Sequence, residues 1–357
     1  MFNKKSLLAI ALSALMAVSA TACTGAGKTA STAAPAASSA PATAASEAAA
    51  PAANATILKL AFNQSENHPQ YKALKAMGDK FKEQTNGRYE IEIHPNALLG
   101  DQRATVELLQ ANAIQLSVVG NPLVENYNKD FAVIGLPYVY DSMEHQKKVF
   151  TGGVLDELFK SVSKEGFEVI AAFTAGSRNI YCDKPIKTPA DLKGYKIRCM
   201  ESDTMVKMIG YMGGVGTPMG QGDVYTAIQS GVLNGGENNE VTYADLKHYE
   251  VAPYFSYTQH LMVPDLIIAS NTFLASLSAE DKATFDKLID EMVAEEFALW
   301  GENVEIAKKA AIDGGATFVE DIDIAPFQEA CKPLAEAVAG SSETAGKLYE
   351  AVRALAK

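Results

Sequence analysis

The side chains that most often catalyse reactions occur in this chain of 357 residues, but none stands in a recognised catalytic spacing. The five histidines, His68, His94, His145, His248 and His260, are isolated, and no His-Glu-x-x-His pair occurs. A Gly-x-Ser-x-Gly elbow and a Gly-x-x-x-x-Gly-Lys-Ser/Thr phosphate loop are also absent from the sequence. Nothing selects any pair of carboxylates for acid-base chemistry. We therefore expect a protein that is not an enzyme and that needs neither a metal ion nor a cofactor.

Three of the four cysteines, Cys182, Cys199 and Cys331, lie far apart in the chain. Their spacing matches no zinc pattern, and an odd number is not a disulfide framework. Export would permit one bond, for which Cys182 and Cys199 are the only candidate pair. We expect all three to be small buried side chains.

Residues 1–22 have the composition of an export signal. Two lysines precede an apolar run from Leu7 to Val18, which is too short to span a bilayer as a mature helix. The small residues 19–22 then lead directly into Cys23, which is the pattern of a bacterial lipoprotein signal, although Ala20 stands where leucine is commoner. We expect Cys23 to be lipidated; the alternative is an ordinary secretory signal that is cut near this point.

Residues 23–55 form a low-complexity segment of mostly Ala, Ser, Thr and Pro, in which Lys28 and Glu47 are the only charged residues. Such a composition cannot bury a core, so we expect a disordered tether that spans roughly 30 Å on average. Together with the lipid, it predicts a protein held at the outer face of the cytoplasmic membrane. Whether that place is a periplasm or a cell surface depends on whether an outer membrane is present.

The composition excludes one large class of partner. The formal net charge is -12 and the isoelectric point is about 5.0, which argues against nucleic-acid binding as the main task. A mean hydropathy of -0.02, with 14 Phe and 14 Tyr, predicts buried cores. The length is enough for about two domains.

Hydrophobic periodicity predicts an α/β body. Strand, helix and strand patterns follow one another at 58–62, 71–81 and 89–93, which implies a parallel sheet. A glycine-rich stretch, Gly213–Gly216, follows a helix and is interpreted as a turn. We assign residues 56–175 and about 263–303 to a first lobe, and residues 176–262 and about 304–357 to a second lobe.

The longest helical pattern runs from Ala279 to about Ile312, with Ser278 and Asp281 as a capping pair. A helix of this length measures roughly 50 Å, which exceeds the width of one lobe. We therefore expect this helix to bridge both lobes.

Ordered motifs in the second lobe resemble the solute-binding proteins of tripartite ATP-independent periplasmic (TRAP) transporters. The quoted motifs are Arg178-Asn179, Lys187–Arg198 (KTPADLKGYKIR), Thr217-Pro218-Met219, Asp223–Val232 (DVYTAIQSGV) and Gly236–Asn239 (GENN), with further matches at 99–103, 136–138 and 249–251. The resemblance extends from Ile57 to the C-terminus. It implies a two-lobed periplasmic-binding fold of type II-like α/β class with a long bridging helix. It also implies a protein that binds an organic acid anion and passes it to membrane permease subunits driven by an ion gradient. We expect a monomer, because two mobile lobes leave little rigid surface for a dimer.

The resemblance also implies the ligand-binding residues of the second lobe. Arg198 stands where the family's carboxylate-binding arginine lies, and its planar fork of donors matches a carboxylate. Arg178 resembles the second arginine of the family cleft, and Asn238 matches an asparagine that can donate and accept. Glu237 either accepts from ligand hydroxyls or pairs with an arginine inside the lobe. Gln221 stands where many relatives carry an aromatic residue, which suggests a more hydroxylated ligand.

The first lobe is expected to contribute the loop after the first strand, with Asn63, Glu66 and His68. Capping and turn formation alone are the alternative explanation for His68. Gln102 and Asn121 follow a turn and a strand at which the family also lines its cleft.

These positions favour one class of ligand. Many polar groups beside one strong carboxylate fork predict a sugar acid, either a uronate or an aldonate of about six carbons. A C4-dicarboxylate and sialic acid are the alternatives within the same transport role. An exported enzyme that acts on acidic sugars through Glu237 is the alternative from a different class.

Overall fold

The computed structural model describes residues 55–356. The predicted export signal, the lipidation site at Cys23 and all but the last residue of the predicted tether lie outside the described residues. Within residues 55–356, no helix is both long enough and apolar enough to cross a membrane.

Strands and helices alternate along most of the chain. The strands are β1 (Thr56–Ala61), β2 (Tyr89–His94), β3 (Leu116–Gly120), β4 (Phe167–Phe173), β5 (Arg178–Cys182), β6 (Lys196–Cys199), β7 (Val215–Pro218), β8 (Gly235–Asn238), β9 (Tyr254–Leu261), β10 (Asp265–Ser270) and β11 (Thr317–Val319). The helices are α1 (Pro69–Gln84), α2 (Gln102–Gln110), α3 (Asn121–Val124), α4 (Met143–Thr151), α5 (Asp156–Lys160), α6 (Asp203–Tyr211), α7 (Val224–Gln229), α8 (Glu240–Asp245), α9 (Asn271–Ser276), α10 (Ala279–Asp313), α11 (Ala325–Ala339) and α12 (Glu343–Ala354). Short 3-10 helices lie at 129–135, 163–165, 189–192, 221–223 and 248–250.

The strands form two sheets, one in each lobe. The first sheet has the order β2-β1-β3-β10-β4, and the second has the order β11-β9-β5-β8-β6-β7. β1 runs parallel to β2 and β3, whereas β10 is antiparallel to both β3 and β4. Because β9 belongs to the second sheet and β10 to the first, the chain returns to the first lobe between Leu261 and Asp265.

Helix α10 connects the two lobes, as the sequence predicts. Its first half places Phe285, Leu288 and Met292 in the apolar core of the first sheet. Its second half reaches the second lobe, where Ala311 packs in a cluster with Tyr243. The N-terminus is capped as expected, with the amide of Asp281 donating to Ser278 Oγ at 3.1 Å.

One expectation about the sheets is confirmed only in part, and one is wrong. β1, β2 and β3 are parallel as predicted, but β10 enters the same sheet antiparallel to β3 and β4, so the sheet is mixed. The stretch interpreted as a turn contains the start of β7, which pairs in parallel with β6 from Val215 onwards. Glycine fits there because a Cβ on Gly216 would approach the backbone of Val206 to 2.8 Å, so helix α6 packs directly against this edge strand.

The three described cysteines are free and buried, as predicted. Cys182 and Cys199 lie on β5 and β6, which β8 separates, so the candidate pair is not bonded. The lobe boundaries stay a prediction. Helix α12 was assigned to the second lobe, but it contacts residues of the first lobe. Arg353 contacts Asp141, and His145 Nε2 lies 2.8 Å from the carbonyl oxygen of Val352.

Candidate functional site

A cavity of about 270 Å³ lies where loops of the first lobe face loops of the second lobe. Polar side chains of both lobes line it together with the apolar side chains of Leu123, Met200, Met219 and Leu246. The first lobe contributes Asn63, Asn96, Asp101 and Gln102, and the second contributes Arg198, Glu201, Gln221, Tyr225 and His248.

Arg198 is a buried cation that forms no ion pair within residues 55–356. It lies on β6, between β7 and β8, and its side chain is almost fully buried, with the residue 4% exposed. Its Nε donates to the carbonyl oxygen of Met219 at 2.8 Å, but its two terminal nitrogens make no hydrogen bond within residues 55–356. Burial lowers the pKa of Arg198, and the nearby carboxylate of Glu237 offsets this only in part. The cavity is therefore lined by a guanidinium whose two terminal nitrogens have no hydrogen-bond partner within the described chain, and the geometry of such a fork suits a carboxylate.

The rest of the lining offers amides and acids. Gln102 accepts from the amide of Gly120 at 2.9 Å through Oε1, and its Nε2 has no partner within the described chain. Asp101 caps helix α2 by accepting from the amide of Ala104, and Glu201 is 3.4 Å from Arg103. Arg198 is the only arginine or lysine among the described residues that line the cavity. The cavity therefore combines one cation with two acidic side chains.

His248 adds a neutral polar group beside the arginine. Its Nδ1 shares a hydrogen bond of 2.8 Å with the hydroxyl of Tyr181. Burial, followed by the charge of Arg198, lowers the pKa of His248 to about 4. At neutral pH this imidazole is uncharged and supplies no second cation to the cavity.

Arg178 and Glu237 form a buried ion pair next to the cavity. Arg178 Nε contacts Glu237 Oε2, and Arg178 Nη2 donates at 2.7 Å to both Glu237 Oε1 and the Glu237 carbonyl oxygen. Arg178 Nη1 donates to Asn238 Oδ1 at 2.8 Å. The antiparallel pairing of β5 with β8, in which Asn179 lies opposite Asn238, brings these side chains together.

The charges of this pair stabilise each other. Burial opposes the charged form of Arg178, but the Glu237 carboxylate outweighs it and the pKa of Arg178 is raised. Burial alone would raise the pKa of Glu237, yet the charge of Arg178 lowers it to about 2. His260 is also near, with Nε2 3.7 Å from Glu237 Oε2, and burial lowers the pKa of His260. Arg178 is thus fully engaged within its own lobe, in contrast to Arg198.

The structure gathers four of the ten predicted ligand-binding residues at the cavity lining: Asn63, Gln102, Arg198 and Gln221. Arg178, Glu237 and Asn238 form the neighbouring network, and they do not line the cavity. Within that network Asn238 accepts through Oδ1, while its side-chain nitrogen Nδ2 makes no hydrogen bond within the described chain.

Three predicted residues lie away from the cavity lining. Glu66 is exposed on the loop before α1. His68 is buried between aromatic rings, 5.7 Å from the ring of Phe62 and 5.6 Å from that of Trp300. Asn121 is buried and donates to the carbonyl oxygen of Phe131 at 3.0 Å. Asn121 therefore anchors the segment after β3 in this structure.

Several residues of the cavity lining are not among the predicted ligand-binding residues: Asn96, Asp101, Glu201, Tyr225 and His248. The sequence pattern could have indicated Asn96. β1 and β2 are parallel neighbours, so the loops after both strands lie at one edge of the sheet, where Asn63 was already a candidate. Asn96 also adopts a left-handed conformation, with a φ of 57°, that is uncommon outside glycine.

Residues 60–341 match a family described as bacterial extracellular solute-binding protein, family 7. A TRAP periplasmic solute-binding protein from Anaerococcus prevotii, solved with bound α/β-D-glucuronate, is 36% identical with a TM-score of 0.81 and covers 84% of this chain and 98% of its own. A second, from a Bradyrhizobium species with α/β-D-galacturonate, is 30% identical with a TM-score of 0.81, at 84% and 100% coverage. A solute-binding protein of Chromohalobacter salexigens is 32% identical over 75% of this chain and 80% of its own.

Proposed function

Because the chain belongs to family 7 of the bacterial extracellular solute-binding proteins, we propose that its cargo is a hexuronate or a closely related sugar acid. The family consists of transport proteins, so the chain is a TRAP solute-binding protein and not an enzyme. Its partners are a small organic acid and the permease subunits that receive it. The exported sugar-acid enzyme considered above is therefore excluded by the family.

The observation that carries the proposal is the free fork of Arg198. Its two terminal nitrogens lack protein partners within residues 55–356, and they belong to a guanidinium that lines a cavity. A carboxylate on the ligand would receive two parallel hydrogen bonds and would neutralise a charge that burial disfavours.

The remaining lining favours hydroxyl groups over a second carboxylate. Asn63, Asn96, Gln102 and Gln221 carry amides, which can donate to and accept from a sugar hydroxyl. A C4-dicarboxylate would place its second carboxylate in a cavity that also contains the acidic side chains of Asp101 and Glu201. Two like charges about 4 Å apart repel each other by about 1 kcal/mol in water and by about 4 kcal/mol near a protein surface.

The similar solved structures support the same ligand class. The two described above hold D-glucuronate and D-galacturonate, which are six-carbon sugars with one carboxylate. A uronate matches one cation and several amides. Sialic acid also has one carboxylate, but it is larger, with a backbone of nine carbons.

A thermal-shift panel tests the ligand class. Residues 55–357 are mixed in turn with D-glucuronate, D-galacturonate, D-gluconate, sialic acid, succinate and D-glucose. We expect the sugar acids to raise the unfolding temperature, because a ligand that binds only the folded state stabilises it. Stabilisation by succinate alone, or equal stabilisation by D-glucose, would contradict the proposal. Chromatography of the incubated ligand checks that it is returned unchanged.

We also propose that the protein is exported, acylated at Cys23 and held at the membrane surface as a monomer. The support is the sequence of residues 1–55, with its apolar run, its cysteine and its tether composition. Mass spectrometry of the full chain from cells should find a lipid on Cys23, and Cys23→Ser should move the protein from the membrane to the soluble fraction. A Cys23→Ser protein that stays in the membrane fraction would contradict the anchor.

A further inference from the structure

We propose that Gln64 and Gln221 form a hydrogen-bonded relay between the lobes that holds the cleft shut around the ligand and sets how fast the ligand leaves. The inference rests on the proposed function and assigns a positioning role to Gln64, which does not line the cavity.

The relay crosses the cleft through side-chain amides. Gln221 Nε2, in the second lobe, donates to Gln64 Oε1, in the first lobe, at 3.1 Å. Gln64 Nε2 then donates at 3.3 Å to the hydroxyl of Thr242 on α8, again in the second lobe. Asn63 Nδ2 lies 3.5 Å from Gln221 Oε1 and completes the contact at the cavity wall. Gln64 therefore uses both ends of its amide on the opposite lobe.

Burial distinguishes the contact of Gln64 with Thr242 from the exposed contact of Arg103 with Glu201, which also crosses the cleft. Gln64 is 7% exposed and Thr242 is fully buried. The contact of Arg103 with Glu201 also joins the lobes, but the two side chains are 57% and 38% exposed. Gln221 is half-buried. Water replaces an exposed contact at little cost, whereas the buried amide of Gln64 loses its partners in a shielded place when the lobes separate. The relay should therefore stabilise the closed arrangement more than the exposed pair does.

The position of Gln221 links the relay to the ligand. The same side chain lines the cavity and bonds to Gln64, so a ligand that orders Gln221 also orders the bridge. Gly220 and Gly222 flank it, and a Cβ at either position would meet no atom within 4 Å. Packing does not require these glycines, and they leave the backbone around Gln221 free to move as the cleft opens.

The test measures ligand dissociation by stopped flow with the sugar acid that gives the largest thermal shift. Gln64→Leu removes the amide at similar size and leaves the cavity lining intact. We expect its dissociation rate to rise about 5- to 30-fold with a nearly unchanged association rate, which corresponds to one or two ordinary hydrogen bonds. The matched control, Arg103→Met, removes the exposed cross-lobe contact and should change the dissociation rate less than about twofold.

A double-mutant cycle shows whether the two glutamines act as one unit. Because either substitution breaks the same bridge, Gln64→Leu combined with Gln221→Leu should raise the dissociation rate less than the product of the two single effects. An unchanged rate in Gln64→Leu, a rise equal to that of Arg103→Met, or strictly multiplicative effects would overturn the relay. Should Gln64→Leu fail to fold, Thr242→Val breaks the far end of the relay and is judged by the same criteria.

Failure of the relay and failure of the proposed function give different results. If wild-type protein binds no acid of the panel, the ligand proposal fails. The relay is then measured without ligand by small-angle X-ray scattering. Gln64→Leu should have a larger radius of gyration than Arg103→Met, and equal radii would refute the relay.

Discussion

Substitution by methionine should destabilise the protein at one of the two arginines near the cleft and not at the other. Arg178→Met leaves Glu237 buried without its cation, whereas Arg198→Met removes a cation that has no anionic partner among the described residues. Both arginines are 4% exposed, so burial does not distinguish them. The difference in unfolding free energy therefore reports on pairing.

The loss of unfolding free energy in Arg178→Met follows from two independent lines of reasoning. Breaking a buried ion pair by removing one partner costs about 3 to 5 kcal/mol. Burial would raise the pKa of Glu237, but the charge of Arg178 lowers it from its ordinary 4.5 to about 2. This shift in pKa corresponds to about 3 kcal/mol. For a folded body of about 300 residues this loss lowers Tm by about 5 to 8 °C. Arg198→Met loses one hydrogen bond, to Met219, and also relieves the burial of its charge. Its Tm should lie within about 2 °C of the wild type, or above it.

Differential scanning calorimetry of the ligand-free proteins at pH 7 measures both effects. The pH dependence gives a second readout, because the folded pKa of Glu237 lies below its unfolded value. Its stabilisation is present above about pH 4.5 and is lost as the pH falls towards about 2, since the unfolded state then binds more protons. Arg178→Met should lose that part of the acid dependence. Equal losses of Tm in the two variants would refute the assignment of Arg178 to the fold and Arg198 to the ligand.

Two further predictions concern a buried acid and a helix cap. Burial raises the pKa of Glu125 from its ordinary 4.5 to about 7, so the folded protein loses stability as the pH rises from about 4.5 through 7. Glu125→Gln should therefore be more stable than the wild type by about 2 to 3 kcal/mol in urea unfolding at pH 8.5, and by much less at pH 5; an equal difference at both pH values would count against it. Ser278→Ala removes the acceptor for the Asp281 amide at the start of α10, and should lower Tm by about 2 °C in calorimetry. An unchanged Tm would show that this cap contributes nothing.

Much of the fold is predictable because long periodic patterns are local. The helix expected at 279–312 spans Ala279–Asp313, and the strand expected at 167–173 has those bounds. β8, with the sequence Gly-Gly-Glu-Asn, carries no apolar alternation, so periodicity could not find it. Its place between β5 and β6 depends on sheet order, which only the assembled lobe defines.

The candidate site shows the same division between local pattern and assembly. Motif resemblance located Arg198 and Arg178, but the pairing of Arg178 with Glu237 follows from the register of β5 on β8. Gln221 was selected for its residue type, while its bond to Gln64 depends on how two lobes meet. His68 has a residue type suited to a site, but its ring packs against Phe62 and Trp300. Residue type therefore predicted candidates, and tertiary packing determined which of them line the cavity.

Isothermal titration calorimetry of residues 55–357 with D-glucuronate tests the central claim that the Arg198 fork binds the carboxylate of a sugar acid. We predict one site per chain in the wild type, no heat with D-glucose, and affinity lowered at least about 30-fold in Arg198→Met, since a lost charged contact costs 2 to 5 kcal/mol. The variant should keep its Tm. Equal affinity of wild type and Arg198→Met for D-glucuronate would contradict the account.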